Sequence, residues 1–299
     1  MPAVTPLMVK ELREKTGAGM LDCKKALEAS NCDIEEAIKW LREKGIAKAE
    51  KKASRVAAEG LCSFAFNGDS AVVFEVNSET DFVAQNEKFT SLIERVGEII
   101  ANSDAMCTNC ALEINVDGKS LNEVILEASG TIGEKLSLRR VQRVVKNDNQ
   151  VFGFYKHQGG RIITLVLLNG TDAECAKDVA MHVAASAPKY VSNAEIPAEE
   201  VAKERDILLA QAMNENAESA KPKPEAIIAK MVDGRLNKNL QEICLLNQAF
   251  VKNPDQTVEA FVKSKGCEVV SFVRLAVGEG IEKEVVDFAA EVAAQAGLK

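Results

Sequence analysis

The chain has 299 residues, of which 46% are hydrophobic and 27% charged, and its formal net charge is −8. That length suggests two or three folding units with ordinary buried cores, and no apolar run approaches the roughly 20 residues of a membrane span. An acidic chain with 5% aromatic residues lacks both the positive field that phosphates demand and the ring platforms on which bases stack, so neither direct nucleic-acid binding nor a membrane role is expected.

The opening residues, MPAVTPLMVKELREK, lack the apolar core of a signal peptide and the Arg- and Ser-rich look of a transit peptide. The expected location is the cytoplasm. Eight cysteines are scattered through the chain, and in that compartment reduced thiols are the default.

Val4, Leu7, Met8 and Leu12 recur at helical spacing, with Thr5 as the N-cap, and Thr16-Gly17-Ala18-Gly19 stops that helix. Met20, Leu21, Cys23, Ala26 and Leu27 predict a second helix ending near Asn31. Asp33, with Glu36 three residues on, caps a third helix that should end at Gly45. Residues 44–59 are charged and Ala-rich and read as a solvated linker or helix extension, with an acidic-partner patch as the alternative.

A repeat follows. Leu61–Phe66, a turn at Asn67-Gly68-Asp69, and Ala71–Val76 read as a β-hairpin, with a helix over 86–101 behind it. Val151–Tyr155, a turn at Gly159-Gly160, and Arg161–Leu168 repeat the pattern, with a helix from Asp172 to Ala187. Two copies suggest a duplicated α+β unit rather than a solenoid. Between them, Leu121–Ser129 reads as a helix and 133–143 as a linking element. Residues 198–217 and 224–239 form a helical hairpin, since Pro222 and Pro224 cannot continue a helix. A lone pair of helices is not expected to bury its apolar stripe within itself and should dock elsewhere. A short helix over 257–265, a strand over 268–277 and a helix from Glu284 to Gln295 complete the chain.

Catalytic signatures are absent: no phosphate loop, dinucleotide fingerprint, zinc-protease helix or nucleophile elbow occurs. His157 and His182 stand alone, without a carboxylate or cysteine at ligand spacing, and read as structural. Cys107-Thr-Asn-Cys110 has the CxxC spacing, but no second pair or nearby His completes a zinc site, so it reads as part of a connecting loop. The segment Glu79-Thr80-Asp81-Phe82-Val83-Ala84 lies where a strand turns into a helix. Phe82 there is either a core residue or an exposed anchor for a partner.

Several stretches resemble the elongation factor Ts family. Lys10 to Leu27, KELREKTGAGMLDCKKAL, followed by Asp33-Ile34, resembles its amino-terminal signature, and Glu75 to Ala84, EVNSETDFVA, resembles its second. Ile132-Gly-Glu-Lys, Arg139-Arg140-Val141, Met181 to Ser186 and Val277 to Lys283 match further on, so the resemblance runs end to end. It implies an α+β fold with an N-terminal three-helix bundle like the ubiquitin-associated module at 1–45 and a linker at 46–60. Core subdomain N should span 61–145, and core subdomain C 146–190 and 232–278. A dimerising helical hairpin, as in the long bacterial form, should occupy 191–231, and a C-terminal helical module 279–299.

The implied function is guanine nucleotide exchange on elongation factor Tu, bound with GDP or nucleotide-free, without a catalytic site, cofactor or metal of the chain's own. The resemblance assigns Thr80, Asp81, Phe82 and Val83 to dislocation of the partner's magnesium ion. Leu12, Thr16, Gly17, Ala18, Gly19 and Met20 are assigned to docking of the amino-terminal module. His157 and Gly160 are assigned to contact by the second repeat. The alternatives are a non-catalytic adaptor working through the three-helix module and a thiol or zinc enzyme built on Cys107 and Cys110.

Overall fold

A computed structural model describes residues 3–218 and 223–282. The chain divides into two units, Met1–Val144 with Leu275–Lys299, and Val145–Arg274.

The first unit opens with α1 (Pro6–Thr16), α2 (Met20–Ala29) and α3 (Ile34–Lys51). Local chemistry starts them. The Thr5 hydroxyl accepts from Met8 N at 3.3 Å, with Pro6 in the first turn, where a missing N–H leaves nothing unpaired. Asp33 accepts from Glu36 N at 2.8 Å. Leu12, Cys23, Ala26, Leu27 and Ala37 are fully buried between the helices.

Strands β1 (Glu59–Asn67) and β2 (Ser70–Ser78) form the expected hairpin, with Asn67 opposite Ser70 across Gly68-Asp69. Then come α4 (Asp81–Ala84), α5 (Glu87–Ala101), α6 (Thr108–Leu112), a small hairpin of β3 (Asn115–Val116) and β4 (Lys119–Ser120), α7 (Leu121–Ile132) and β5 (Ser137–Val145). The sheet order is β1-β2-β5. The stretch read as a linking element is therefore the third strand. Leu138 and Val141 join the core three residues apart with two arginines between them that serve other groups, so the period of two that marks a strand does not show in the sequence. Val72, Phe74 and Val76 of β2 pack with Phe89, Ile93, Val96 and Ile100 of α5 and with Leu121 and Ile125 of α7.

Two expectations are corrected here. Helix α3 does not stop at Gly45 but runs to Lys51, into the expected linker. Gly45 is a crossing point rather than a stop: a Cβ on Gly130 of α7 would lie 2.9 Å from Gly45 Cα, so α3 and α7 meet backbone to backbone. The Ala- and Lys-rich sequence beyond it favours helix. Nor is the CTNC segment a loop of free thiols. Cys107 is the N-cap of α6 and is bonded to Cys110, which the three-residue spacing brings around to it within one helical turn. Cys62 and Cys175 remain buried free thiols, and burial pushes each up to about 12, which leaves them unreactive.

A buried carboxylate ties this unit together. Glu75 of β2 is fully buried. It accepts from Asn77 Nδ2 at 2.9 Å, Arg139 Nη1 at 3.1 Å, Arg140 Nε at 2.5 Å and Gly278 N at 2.8 Å. The same arginines donate onward, Arg139 Nη2 to Glu279 O and Arg140 Nη2 to Ala276 O, each at 2.6 Å. Gly278 has φ +71°, and a Cβ there would lie 2.2 Å from Ala58 O, so only glycine brings its N–H to Glu75.

The second unit repeats the plan. Strands β6 (Gln150–His157) and β7 (Ile162–Asn169) form a hairpin, and α8 (Ala173–Ser186) follows, capped by Asp172. After the helices α9 (Ala198–Ala217) and α10 (Glu225–Ile243) come β8 (Ala249–Phe250), β9 (Asn253–Thr257), α11 (Val258–Ser264) and β10 (Glu268–Ala276). The sheet order is β10-β7-β6. As in the first unit, a later strand lies beside the second strand of the hairpin. Val166, Leu168, Val179, Val183 and Val262 fill the core, where Phe250 stacks on Phe261 at 4.1 Å between centroids.

The helical hairpin departs from expectation. Leu208 and Ala212 of α9 and Ile228, Val232 and Leu236 of α10 are buried in one cluster, so the pair does cover an inner stripe of its own. A second set, Ile207, Met213 and Ile227, stays exposed. The expected helix Glu284–Gln295, and all but the first residues of the expected 279–299 module, lie outside the described residues.

His182 is fully buried; its Nδ1 accepts from Val251 N at 3.1 Å and its Nε2 faces Gln248 Oε1 at 2.9 Å. Burial lowers its pKa, against a smaller opposite pull from Gln248. The unfolded chain therefore takes a proton where the native one does not. Stability should be full above the ordinary imidazole pKa of about 6.5 and fall as the pH drops below it. Urea midpoints at pH 7.5 and 5.5 check this: part of the loss at pH 5.5 should be missing in His182→Gln. Replacing Glu75 by Ala strands two partly buried guanidinium groups and should lower the stability of the first unit by about 2–4 kcal/mol. Urea unfolding should show a lower midpoint at an unchanged slope.

Candidate protein-interaction site

The corner between β2 and α5 is built by reciprocal bonds. Thr80 is the N-cap of α4, yet its hydroxyl makes no capping bond. Instead Thr80 N donates to Glu134 Oε2 at 2.9 Å, and Thr80 Oγ1 donates to Glu134 Oε1 at 2.7 Å. In return Glu79 Oε1 accepts from Lys135 N at 2.6 Å, and Glu79 Oε2 pairs with Arg55 at 3.1 Å. Ser78 Oγ donates to Thr80 O at 2.9 Å.

On this base sits one turn of helix. A helical step of about 100° per residue sends neighbours to different faces. Val83 turns into the core at 7% exposure, while Phe82 is 82% exposed and Asp81 is exposed as well. The two readings of Phe82 left open by the sequence are thus separated: it is an exposed aromatic, not a core residue. An exposed Phe beside a carboxylate on a braced corner suits insertion into a partner.

The amino-terminal turn is also braced. Gly17 has φ +66° and its N–H donates to Arg13 O at 2.7 Å, while Thr16 Oγ1 donates to Leu12 O at 2.7 Å and accepts from Ala18 N at 3.3 Å. Gly17 O accepts from Lys88 Nζ at 3.2 Å. Lys88 is in the first turn of α5, so this turn and the Phe82 corner are tied to opposite ends of one short stretch of chain. Gly19 and Met20 are exposed, and Thr16, Gly17 and Ala18 partly so. Beside them Leu7 and Leu21 are exposed, and a groove of about 540 Å³ is lined by Val4, Val9, Met20 and Leu21 with Lys10 and Arg13. Leu12 does not join this surface. It is fully buried in the bundle core, because its position on α1 faces α2 and α3. It supports the turn from below.

In the second unit, His157 ends β6 and is half-buried, stacked on Tyr155 at 5.9 Å between ring centroids. Gln158, Gly159 and Gly160 all have positive φ, at +46°, +67° and +111°. This tight turn buries Gly160, so Gly160 offers a partner no surface and instead lets the turn close. His157 and Gly160 are thus separated in role.

Glu134, Lys135, Glu79 and Lys88 brace the corner and the turn, a role that sequence reasoning assigned to none of them. Ile132-Gly-Glu-Lys was visible as a motif, but nothing in its spacing says that its carboxylate reaches Thr80. Among the described residues, no group of three or more His, Cys, Asp or Glu could hold a metal, and no helix is long and apolar enough to cross a membrane.

The family model for elongation factor TS matches residues 79–279, more than half of the chain. The match begins at the Phe82 corner and ends at the segment fastened to Glu75. The chain belongs to the elongation factor Ts family, which implies a nucleotide exchange factor for elongation factor Tu in translation elongation.

Proposed function

We propose that the chain promotes GDP release from elongation factor Tu by inserting Phe82 into the GTPase domain and disturbing the magnesium and phosphate site there. What carries the reading is the 82% exposure of Phe82 on a corner fixed from below. Magnesium bridges phosphate oxygens and protein ligands, so displacing the elements that support it loosens ion and nucleotide together. Asp81, beside the ring, would act on the magnesium coordination, with Thr80 and Val83 holding the pair in place. The chain needs no catalytic group or cofactor for this. Exchange follows from linkage: if it binds the nucleotide-free partner better, nucleotide weakens the complex by the same factor by which the chain weakens nucleotide.

The exposed Gly19, Met20 and Leu21 would dock the bundle on the same GTPase domain, and His157 would touch a different domain of the partner. The acidic net charge of −8 speaks against direct nucleic-acid binding, and the cytoplasm, where elongation proceeds, is the expected site of action. The hairpin of α9 and α10, with Ile207, Met213 and Ile227 still exposed, would pair with its copy in a second chain.

Phe82→Ala should slow GDP release roughly 30- to 150-fold, the equivalent of about 2–3 kcal/mol for a fully buried Phe ring. Its melting temperature should stay close to that of the parent, because the ring is 82% exposed and has little packing to lose. Stopped-flow release of fluorescent GDP, paired with a thermal melt, checks both. A variant that unfolds would mean that Phe82 holds the fold instead. Deletion of 192–230 should shift a dimer to monomer in light scattering, and an unchanged mass would sink the pairing.

A further inference from the structure

We propose that Glu134 is a positioning residue: it aims the exposed Phe82 ring by clamping the backbone and hydroxyl of Thr80. The proposal rests on the exchange reading above and adds to it the residue that makes the corner rigid.

Two observations converge on Glu134. Both of its carboxylate oxygens end on one residue, Oε2 on Thr80 N at 2.9 Å and Oε1 on Thr80 Oγ1 at 2.7 Å. Thr80 occupies the N-cap of α4 but makes no capping bond. A four-residue helix without a cap does not hold itself, since helix nucleation is unfavourable and short helices are marginal in water. Glu134 supplies the missing hold from outside the helix.

Glu134 is itself fixed. The buried Ser129 hydroxyl donates to Glu134 O at 2.5 Å, and Gly133, at φ +93°, ends α7 and turns the chain toward the corner. Lys52 donates to Gly133 O. The next residue closes the loop of bonds: Lys135 N donates to Glu79, and Lys135 Nζ donates to Ala53 O at 2.7 Å and Arg55 O at 2.8 Å. Segments 79–80 and 134–135 thus each place a carboxylate on the other's backbone.

The consequence falls on Phe82, two residues past Thr80. An 82% exposed ring has little packing to orient it, so its direction is set by the backbone that carries it. A ring already pointed at its destination loses less freedom on insertion, which raises the population of productive encounters. Removing the clamp should therefore lower the rate of the insertion step more than it weakens docking by the rest of the molecule.

The test is GDP release from elongation factor Tu, followed by fluorescent GDP over a range of concentrations of the full chain. Glu134→Ala should lower the maximal rate about tenfold, the weight of a hydrogen bond to a charged group, with the half-saturating concentration little changed. Glu134→Gln should restore most of the rate, because the amide accepts from Thr80 N and donates to Thr80 Oγ1. Thr80→Val combined with Glu134→Ala should be no worse than Glu134→Ala alone. Simple loss of folded protein would do the reverse, raising the half-saturating concentration at an unchanged maximal rate, and would overturn the proposal.

A second readout needs no partner. With the single Trp40 changed by Trp40→Phe, Phe82→Trp reports local motion by fluorescence anisotropy decay. Glu134→Ala should add a nanosecond component that Glu134→Gln lacks. An unchanged decay together with an unchanged maximal rate would overturn the positioning role. A parent chain that fails to speed GDP release would overturn the exchange reading, and the anisotropy decay would still decide the clamp.

Discussion

Glu75 is the constraint on which the first unit depends. A carboxylate removed from water is tolerated only when its oxygens are filled by donors, and here four groups fill them. Those donors come from three places in the chain: β2 itself, β5, and the segment after β10, 203 residues away at Gly278. Because each arginine also donates to a carbonyl of 276–279, loss of one partner leaves several others unpaired. The buried carboxylate therefore joins three distant stretches of the chain at one point.

A firm base matters for what it carries. The corner at 79–84 presents an aromatic ring that is 82% exposed to solvent. On the proposed function that ring inserts into the partner, and the elements around it hold its backbone. Val83 anchors the turn in the core, Glu134 holds Thr80, and Lys88 ties the following helix to the Gly17 turn. The result is two exposed apolar features, Phe82 and the Met20–Leu21 pair, on one supported framework. The proposed insertion of Phe82 calls for this stiffness, since a soft wedge would adapt to the partner instead of moving it.

Much of this was legible in the chain, and the failures have physical causes. The caps at Thr5 and Asp33, the start of α8 at Asp172 and both hairpin turns are short-range chemistry and read directly. Strand β5 did not, because arginines whose partners lie far away interrupt its pattern. Gly45 looked like a stop because a glycine in sequence does not reveal that another glycine, Gly130, faces it. Phe82 could be placed on a corner, yet its exposure depended on which way one helical turn faced the core. Leu12 belonged to a matching motif but is buried, since a motif records the residues that shape a surface along with those that form it, and Gly160 is buried by the tight turn it closes. Glu134 was missed for the same reason as β5: its partner is 54 residues away.

The account stands or falls on whether the molecule weakens nucleotide on its partner. The most direct measurement is stopped-flow release of fluorescent GDP from elongation factor Tu with the chain at sub-stoichiometric concentration. The account predicts acceleration of the whole GDP pool with turnover, each molecule of the chain serving many of the partner. Binding without any acceleration, by a folded chain and a matched partner, would contradict it and leave the three-helix module as an adaptor.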